Sequence, residues 1–332
     1  MAFSQFRMSG RSSGIDAKIV CGDNLEYTSL AEKVFPGAED RPMLMDSVIH
    51  QKNVAINVMD GFDPNMTANI NHHSIYHLYE YEAKTGFLDN IPRPRFGGYE
   101  MQTRFLCCRY VICEIDDWMT NKKSVELLAM RTNGDIYIGS NKSLDGDCSD
   151  VTNAAAFGGL NFAKKVTHQP SSLDFKKLHS VVKQWRIEKK RSRRVMNVFI
   201  SSVARAFDAD GNVVEIKTVG SKVMGKIQNL PGAKARNWWL RALLSGANRI
   251  VYGLRMDDMM VNEILEATID EFTHGHFQFT ESRLFTEVFD IFDRIDKTIP
   301  KNGDVCLVHL RKYERINVEL TTTESLKRSP FW

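Results

Sequence analysis

The chain has 332 residues, enough for two domains of ~150 residues each or for one large α+β unit. Hydrophobic residues make up 43% and charged residues 26%, which excludes collagen-like, coiled-coil and largely disordered chains. Lys+Arg number 44 against 41 Asp+Glu, a net charge of +3, so any nucleic-acid signal must be local rather than global.

Residues 1–14 are rich in small and polar types and read as a flexible tail, with one domain expected over 15–332. The start lacks the apolar run of a secretory signal, and no stretch reaches ~18 apolar residues. A cytoplasmic or nuclear protein without a membrane span is expected. The cysteines at 21, 107, 108, 113, 148 and 306 form no CxxC pair and read as free thiols in a reducing compartment. His73 and His77 share a helical face, but no HExxH glutamate accompanies them, and His274-Gly275-His276 is no stronger. Hydrogen-bonded or surface histidines are expected there. No G-x-S-x-G, P-loop or G-x-G-x-x-G occurs.

Asn133-Gly134 stands between two apolar runs, Val125 to Met130 and Asp135 to Ile138, and predicts a hairpin. Residues 140–153 are rich in Ser, Asn, Asp and Gly and read as a loop. Val195 to Phe207 is rich in β-formers; Asp208 to Asn212 reads as a turn and Val213 to Val219 as the returning strand. Pro231-Gly232 opens a helix that Gly246 closes, and Ile250 to Leu254 follows as a strand. Strand–helix–strand implies a parallel pair. Leu284, Phe285, Val288, Phe289, Phe292 and Ile295 mark one apolar helix stripe, expected to face the core. Strands at Val305 to Leu310 and Ile316 to Thr321 close the chain.

The residues best suited to chemistry are Asp208, Glu215 and Lys217. Side chains alternate along a strand, so Glu215 and Lys217 share a face, and the turn at Asp210-Gly211 is expected to bring Asp208 towards Glu215. Two carboxylates and a lysine suit divalent-metal phosphodiester chemistry, and D-x(6)-E-x-K is the arrangement of the PD-(D/E)XK nucleases. The competing reading is an exposed hairpin with a surface Glu–Lys pair. Lys183, Arg186, Lys189, Lys190, Arg191, Arg193 and Arg194 form a basic run able to bind phosphate, or a solvated face. Lys222, Lys226, Lys234, Arg236 and Arg241 interleave with Trp238 and Trp239, as in a nucleic-acid channel, although at least one indole is expected in the core.

Val214-Glu215-Ile216-Lys217-Thr218, the helix Asn237 to Gly246 and the strand Arg249 to Arg255 resemble successive motifs of the decapping exonuclease (DXO/Rai-type) family. Those motifs are an E-h-K strand, a W-x-Q-S-F-L-x-G helix and an I-V-x-G-F-R strand. Glu126 to Ile138 and Phe157 to Ala163 resemble earlier segments, and Arg109 falls at the family's arginine. Two departures mark a divergent member with a partly degenerate metal site. Ala163 stands at one family glutamate, and Ala206-Phe207-Asp208 replaces E-h-D; a rival register, Arg205-Ala206-Phe207, would lose both acids. Glu114-Ile115-Asp116 also fits E-h-D but lacks the strand that should follow, and reads as a decoy.

The resemblance implies an α+β fold, with mixed β-sheets flanked by helices and a PD-(D/E)XK nuclease-like core. It implies Mg²⁺ or Mn²⁺, one ion rather than two, held by Asp208 and Glu215, with Lys217 assisting the water and Arg109 and Arg241 contacting phosphate. The implied partner is an RNA 5′ end, with neither DNA nor membrane. The implied activity is weakened removal of incomplete or atypical caps and 5′–3′ RNA degradation. The alternative is a catalytically inactive RNA-end-binding pseudoenzyme or scaffold in RNA quality control.

Overall fold

The computed structural model describes residues 17–30, 33–36, 41–63, 75–91, 103–121, 123–141, 150–168, 177–189, 194–220, 223 and 226–327. The expected tail at 1–14 lies outside them. In chain order the elements begin with β1 (Ala17–Leu30), β2 (Lys33–Pro36), β3 (Met43–Leu44), β4 (Lys52–Asn57), α1 (Ile75–Thr85), β5 (Arg104–Cys108) and α2 (Arg109–Asn121). Next come β6 (Val125–Thr132), β7 (Asp135–Ser140), α3 (Asp150–Lys165), β8 (Thr167–His168), β9 (Lys177–Lys189), β10 (Arg194–Ala204), β11 (Ala206–Phe207) and β12 (Val213–Gly220). The chain continues through α4 (Gly232–Ser245), β13 (Arg249–Arg255), β14 (Met260–Thr268), α5 (Ile269–Thr273), α6 (Ser282–Thr298), β15 (Val305–Leu310), β16 (Asn317–Thr321) and α7 (Thr323–Lys327).

Among the described residues the strands form two mixed sheets. One has nine strands in the order β16-β15-β6-β7-β5-β10-β9-β1-β2; the other has seven, β4-β14-β13-β12-β11-β3-β8. The α+β class with mixed sheets is as expected. The central strands of the larger sheet are apolar on both faces, because both are covered. Phe105, Cys107, Val198 and Ile200 join the main core, which α2, α4 and α6 help to build, while Leu106, Cys108, Tyr137 and Phe199 point the other way, under α1. α4 touches β9 and β10 of the larger sheet and β12 and β13 of the smaller. It is the wedge that brings the two sheets to one site. α3 covers the outer face of the smaller sheet, where Phe162 and Ala163 pack with Val214, Ile216 and Val251. Gly253 on β13 permits that closeness: a Cβ there would lie 2.8 Å from Phe162 Cζ and from Val261 Cγ1.

Local signals explain most boundaries. Asn133 and Gly134 both take positive φ (52° and 79°), the turn whose twist suits a two-residue hairpin. α4 ends at Gly246, whose φ of 70° is left-handed and whose N–H bonds back to Ala242 and Leu243. β12 and β13 are parallel. The apolar stripe of α6 is buried throughout. The last strand begins at Asn317, one residue later than the β-former pattern suggests. Part of the segment 140–153 expected as a loop is helical: α3 begins at Asp150, because Ala154-Ala155-Ala156 carries helix propensity into the polar segment, while Ser140 ends β7 and 142–149 lie outside the described residues.

Candidate functional site

The hairpin that carries the candidate residues is fixed by register. β11 pairs with β12 through Ala206 opposite Val214 and Phe207 opposite Val213. The turn closes with the Asp208 N–H donating to the Asn212 carbonyl at 2.9 Å, and Gly211 takes φ of 80°. Continuing the register by one residue sets Arg205 across from Glu215, on the same face. Asp208 stands three rungs from that point, about 10 Å along the hairpin.

Asp208 serves its own turn. One carboxylate oxygen accepts from the backbone N–H groups of Asp210 (3.1 Å) and Asn212 (2.8 Å), and the other accepts from Asn212 Nδ2 at 3.3 Å. Arg249 Nη2 lies 4.0 Å away, tied as well to Asp46 and Glu266. Asp208→Ala is therefore expected to destabilise the protein by about 1–3 kcal/mol, since two turn N–H groups lose their acceptor. Thermal melting checks this; an unchanged melting temperature would refute a structural role for the carboxylate.

Glu215 is buried at the centre of a cationic group. Arg109, the first residue of α2, donates to one carboxylate oxygen, and Lys217 Nζ donates to the other. Ser245 Oγ, on the last turn of α4, donates to the first oxygen at 3.2 Å. Arg109 also reaches the Arg241 carbonyl at 3.4 Å. Burial opposes charge on Glu215, but the neighbouring Arg109 and Lys217 outweigh it and hold the carboxyl well below its ordinary 4.5. Burial pushes Lys217 down to about 8; Arg109 and Arg241 add to that, and Glu215 resists it. Burial lowers Arg205 to about 10, with Arg109 and Arg241 acting in the same direction and Glu215 against it. Arg205, Lys217 and Arg241 are partly exposed and give the group its opening to solvent.

Of the residues singled out in sequence, Arg109, Glu215, Lys217 and Arg241 come together; Asp208 does not join them. Ala163 and Ala206 pack with Val214 and Ile216, so they belong to the face of β12 opposite Glu215 and Lys217. Acidic side chains at those two positions would be directed into an apolar cluster. Arg205 and Ser245 were missed as members of the site. Both had a signal: Arg205 and Glu215 are equidistant from Asp210 at the turn, and Ser245 lies four residues after Arg241 on one helix face.

Other cues resolve into structure. The basic run 183–194 clamps α6: Lys189 donates to Asp290 and Arg194 to Asp293, while 190–193 lie outside the described residues. Trp238 and Trp239 are both buried, with Lys234 and Arg236 over their rings. Lys222 lies outside the described residues. Asp116 accepts from Arg236 at 2.6 and 2.8 Å, beside a cavity of about 210 Å³ between α2 and α4, and Glu114 accepts from Ser140 Oγ at 3.2 Å. His77 is buried on α1; His72 and His73 lie outside the described residues. Cys107, Cys108, Cys113 and Cys306 are free.

A nuclease of this type implies a divalent ion, which needs several oxygen ligands. Here both Glu215 oxygens are engaged by cations, Asp208 is held in its turn, and the residue next to Ala206 on the Glu215 side of the hairpin is the cation Arg205 and not an acid. Among the described residues no three His, Cys, Asp or Glu side chains form a group able to hold a metal ion. The surrounding positive charge adds repulsion. These residues do not suit Mg²⁺ or Mn²⁺.

A model of the RAI1-like PD-(D/E)XK nuclease family matches residues 96–331, most of the chain. The chain belongs to the RAI1-like PD-(D/E)XK nuclease family. A search of curated proteins finds no match. Among solved structures, S. pombe Rai1 superposes with a TM-score of 0.66 at 13% identity, covering 93% of this chain and 96% of that one. Candida albicans Rai1 in complex with pU5-Mn²⁺ gives 0.68 at 12% identity, covering 95% and 93%. K. lactis Dxo1 in complex with manganese gives 0.63 at 11% identity, covering 92% and 90%. At such identities these likenesses establish the fold that the RAI1-like family shares. The family seen in the E-h-K strand and the W-W helix is therefore confirmed.

Proposed function

We propose that this RAI1-like chain binds the 5′ ends of RNA at the cationic cluster around Glu215 and does not hydrolyse them by metal-dependent chemistry. The observation that carries this reading is that Glu215 is taken by Arg109 and Lys217 and faces Arg205. Arg109, Lys217 and Arg241 are groups that hold a phosphate, and among the described residues no cluster of acids able to hold an ion accompanies them. The Candida albicans relative binds a 5-mer of uridine with manganese, which supports an RNA ligand for this fold. In this cluster, Arg241 and Lys217 carry donors for a phosphate, and Arg109 is oriented by its bond to Glu215.

The test uses pure protein and 5′-labelled RNAs bearing triphosphate, unmethylated-cap, dinucleotide-cap or monophosphate ends, with Mg²⁺ or Mn²⁺. RNA retention on a filter without release of cap fragment or nucleotides is expected. Metal-dependent release that disappears in Lys217→Ala would overturn the reading and establish a weakened hydrolase, for which the retained Glu-x-Lys pair is the argument. Absence of any RNA binding would also overturn it.

A further inference from the structure

We infer that the turn joining β15 to β16, residues 311–316, is a contact for single-stranded RNA, in which Tyr313 stacks on a base and Lys312 and Arg315 meet the phosphates beside it. This rests on the RNA-end reading and adds to it a second contact that ignores the end.

Tyr313 is 82% exposed, the most of any large hydrophobic side chain among the described residues. It also takes φ of 63°, a left-handed backbone that disfavours a residue with a Cβ. A ring held in water gains little from burial, so its use lies in what it meets there. The charges of the turn are one-sided. Arg311, Lys312 and Arg315 accompany one acid, Glu314, whose Oε2 lies 3.8 Å from Arg311 Nη1, and residues 311–315 are all exposed. Three cations against one acid favour a polyanion over an average protein surface. Lys312 Nζ stands 4.6 Å from the centroid of the Tyr313 ring, so ring and cation form one unit. Such a unit suits an unpaired strand, whose bases stack on the aromatic ring while cations track the backbone.

The turn is anchored on both sides. Trp118 Nε1 on α2 donates to the Arg311 carbonyl at 3.2 Å, and Arg294 Nη1 on α6 donates to the Ile316 carbonyl at 3.1 Å. Below it, His309 lies between Glu126 and Glu319, whose oxygens are 3.0 and 3.1 Å from its ring nitrogens, across β6, β15 and β16. An anchored ring loses less freedom on binding than a mobile one. Trp118 stands nine residues after Arg109 on α2, about 14 Å along the helix, so one strand of several nucleotides can touch both the Glu215 cluster and the turn.

Fluorescence anisotropy on the full chain tests this, with an oligouridine of about 20 nucleotides as the single strand and a duplex RNA of the same length. Each is used with a 5′-phosphate and with a 5′-hydroxyl. Tyr313→Ala is expected to weaken the single strand about tenfold whichever end it carries, and to leave the duplex unchanged, because paired bases cannot stack on the ring. Tyr313→Phe should keep full affinity. Lys312→Gln with Arg315→Gln should lower the slope of log affinity against log salt by about 1.4, two phosphate contacts at ~0.7 each. Tyr313→Gly suits a φ of 63° and should bind as weakly as Tyr313→Ala without a lower melting temperature, which separates the contact from folding. Unchanged single-strand affinity in the Ala and Gly variants overturns the inference and points to a protein partner for the turn. An equal loss on the duplex overturns it too. A preference for the phosphate end belongs to the Glu215 cluster. Where that preference persists and the Tyr313 variants bind normally, this contact fails and the RNA-end reading stands. Where the variants lose affinity but the unaltered chain shows no end preference, the reverse holds. No binding of any strand overturns both.

Discussion

Glu215→Ala is expected to lower the unfolding free energy by about 3–5 kcal/mol, because it removes the carboxylate that balances the buried charges of Arg109 and Lys217. Ser245 loses an acceptor as well. The effect should exceed that of the Asp208 change, since Glu215 compensates charges and Asp208 mainly serves N–H groups. Urea denaturation at pH 7 measures it, and equal midpoints for the two proteins would refute the ion-pair account. The pH dependence has a definite sign. The folded Glu215 carboxyl lies below its ordinary 4.5, so between those values the unfolded chain binds more protons and stability rises with pH. Its contribution is complete above about 4.5 and is lost as pH falls through the folded value. The stability curves of wild type and Glu215→Ala should converge in acid for that reason.

A loss of about 3–5 kcal/mol is likewise expected for Asp135→Ala, by a different route to the same site. Arg104, at the start of β5, donates Nε and Nη2 to the two oxygens of Asp135, at the start of β7, at 2.9 and 2.7 Å. Both side chains are buried, and Nη1 of Arg104 is held by the carbonyls of Leu88 and Ile91. Removing the carboxylate strands a guanidinium in the core. Replacing both partners by well-packed apolar residues, Arg104→Met with Asp135→Leu, should recover most of the loss, because neither charge is then left unpaired. A double-mutant cycle by chemical denaturation tests this; additive single effects would mean the pair is not coupled. The consequence reaches function because β5 runs without a break into Arg109. Asp135→Ala should therefore also weaken RNA binding, although Asp135 is not among the groups around Glu215.

Turn and capping chemistry made much of the architecture legible. Asn133-Gly134, Asp208 to Asn212, and Pro231 with Gly246 each act within a few residues, so their meaning survives without tertiary context. The stripe of α6 predicts burial for the same reason. The site was legible only in part. Glu215 and Lys217 share a face by strand alternation alone, and the W-W helix placed Arg241 in the same motif set. Asp208 misled because closeness to the turn in sequence suggested closeness to Glu215 in space, whereas hairpin register couples residues equidistant from the turn, and that residue is Arg205.

The sequence by itself determined the family, the order of strands and helices around Glu215, and four residues that meet there, Arg109, Glu215, Lys217 and Arg241. Only the tertiary structure decided which charges meet. Arg109 comes from α2, Arg205 from the bend after β10 and Arg241 with Ser245 from α4, and packing, not spacing, sets their distances to one carboxylate. The basic run at 183–194 teaches the same lesson in reverse: two of its charges, Lys189 and Arg194, are matched by Asp290 and Asp293 of α6, about a hundred residues later in the chain. Coulombic energy falls with distance and with exposure to water, so the meaning of a charge depends on neighbours that only the fold supplies.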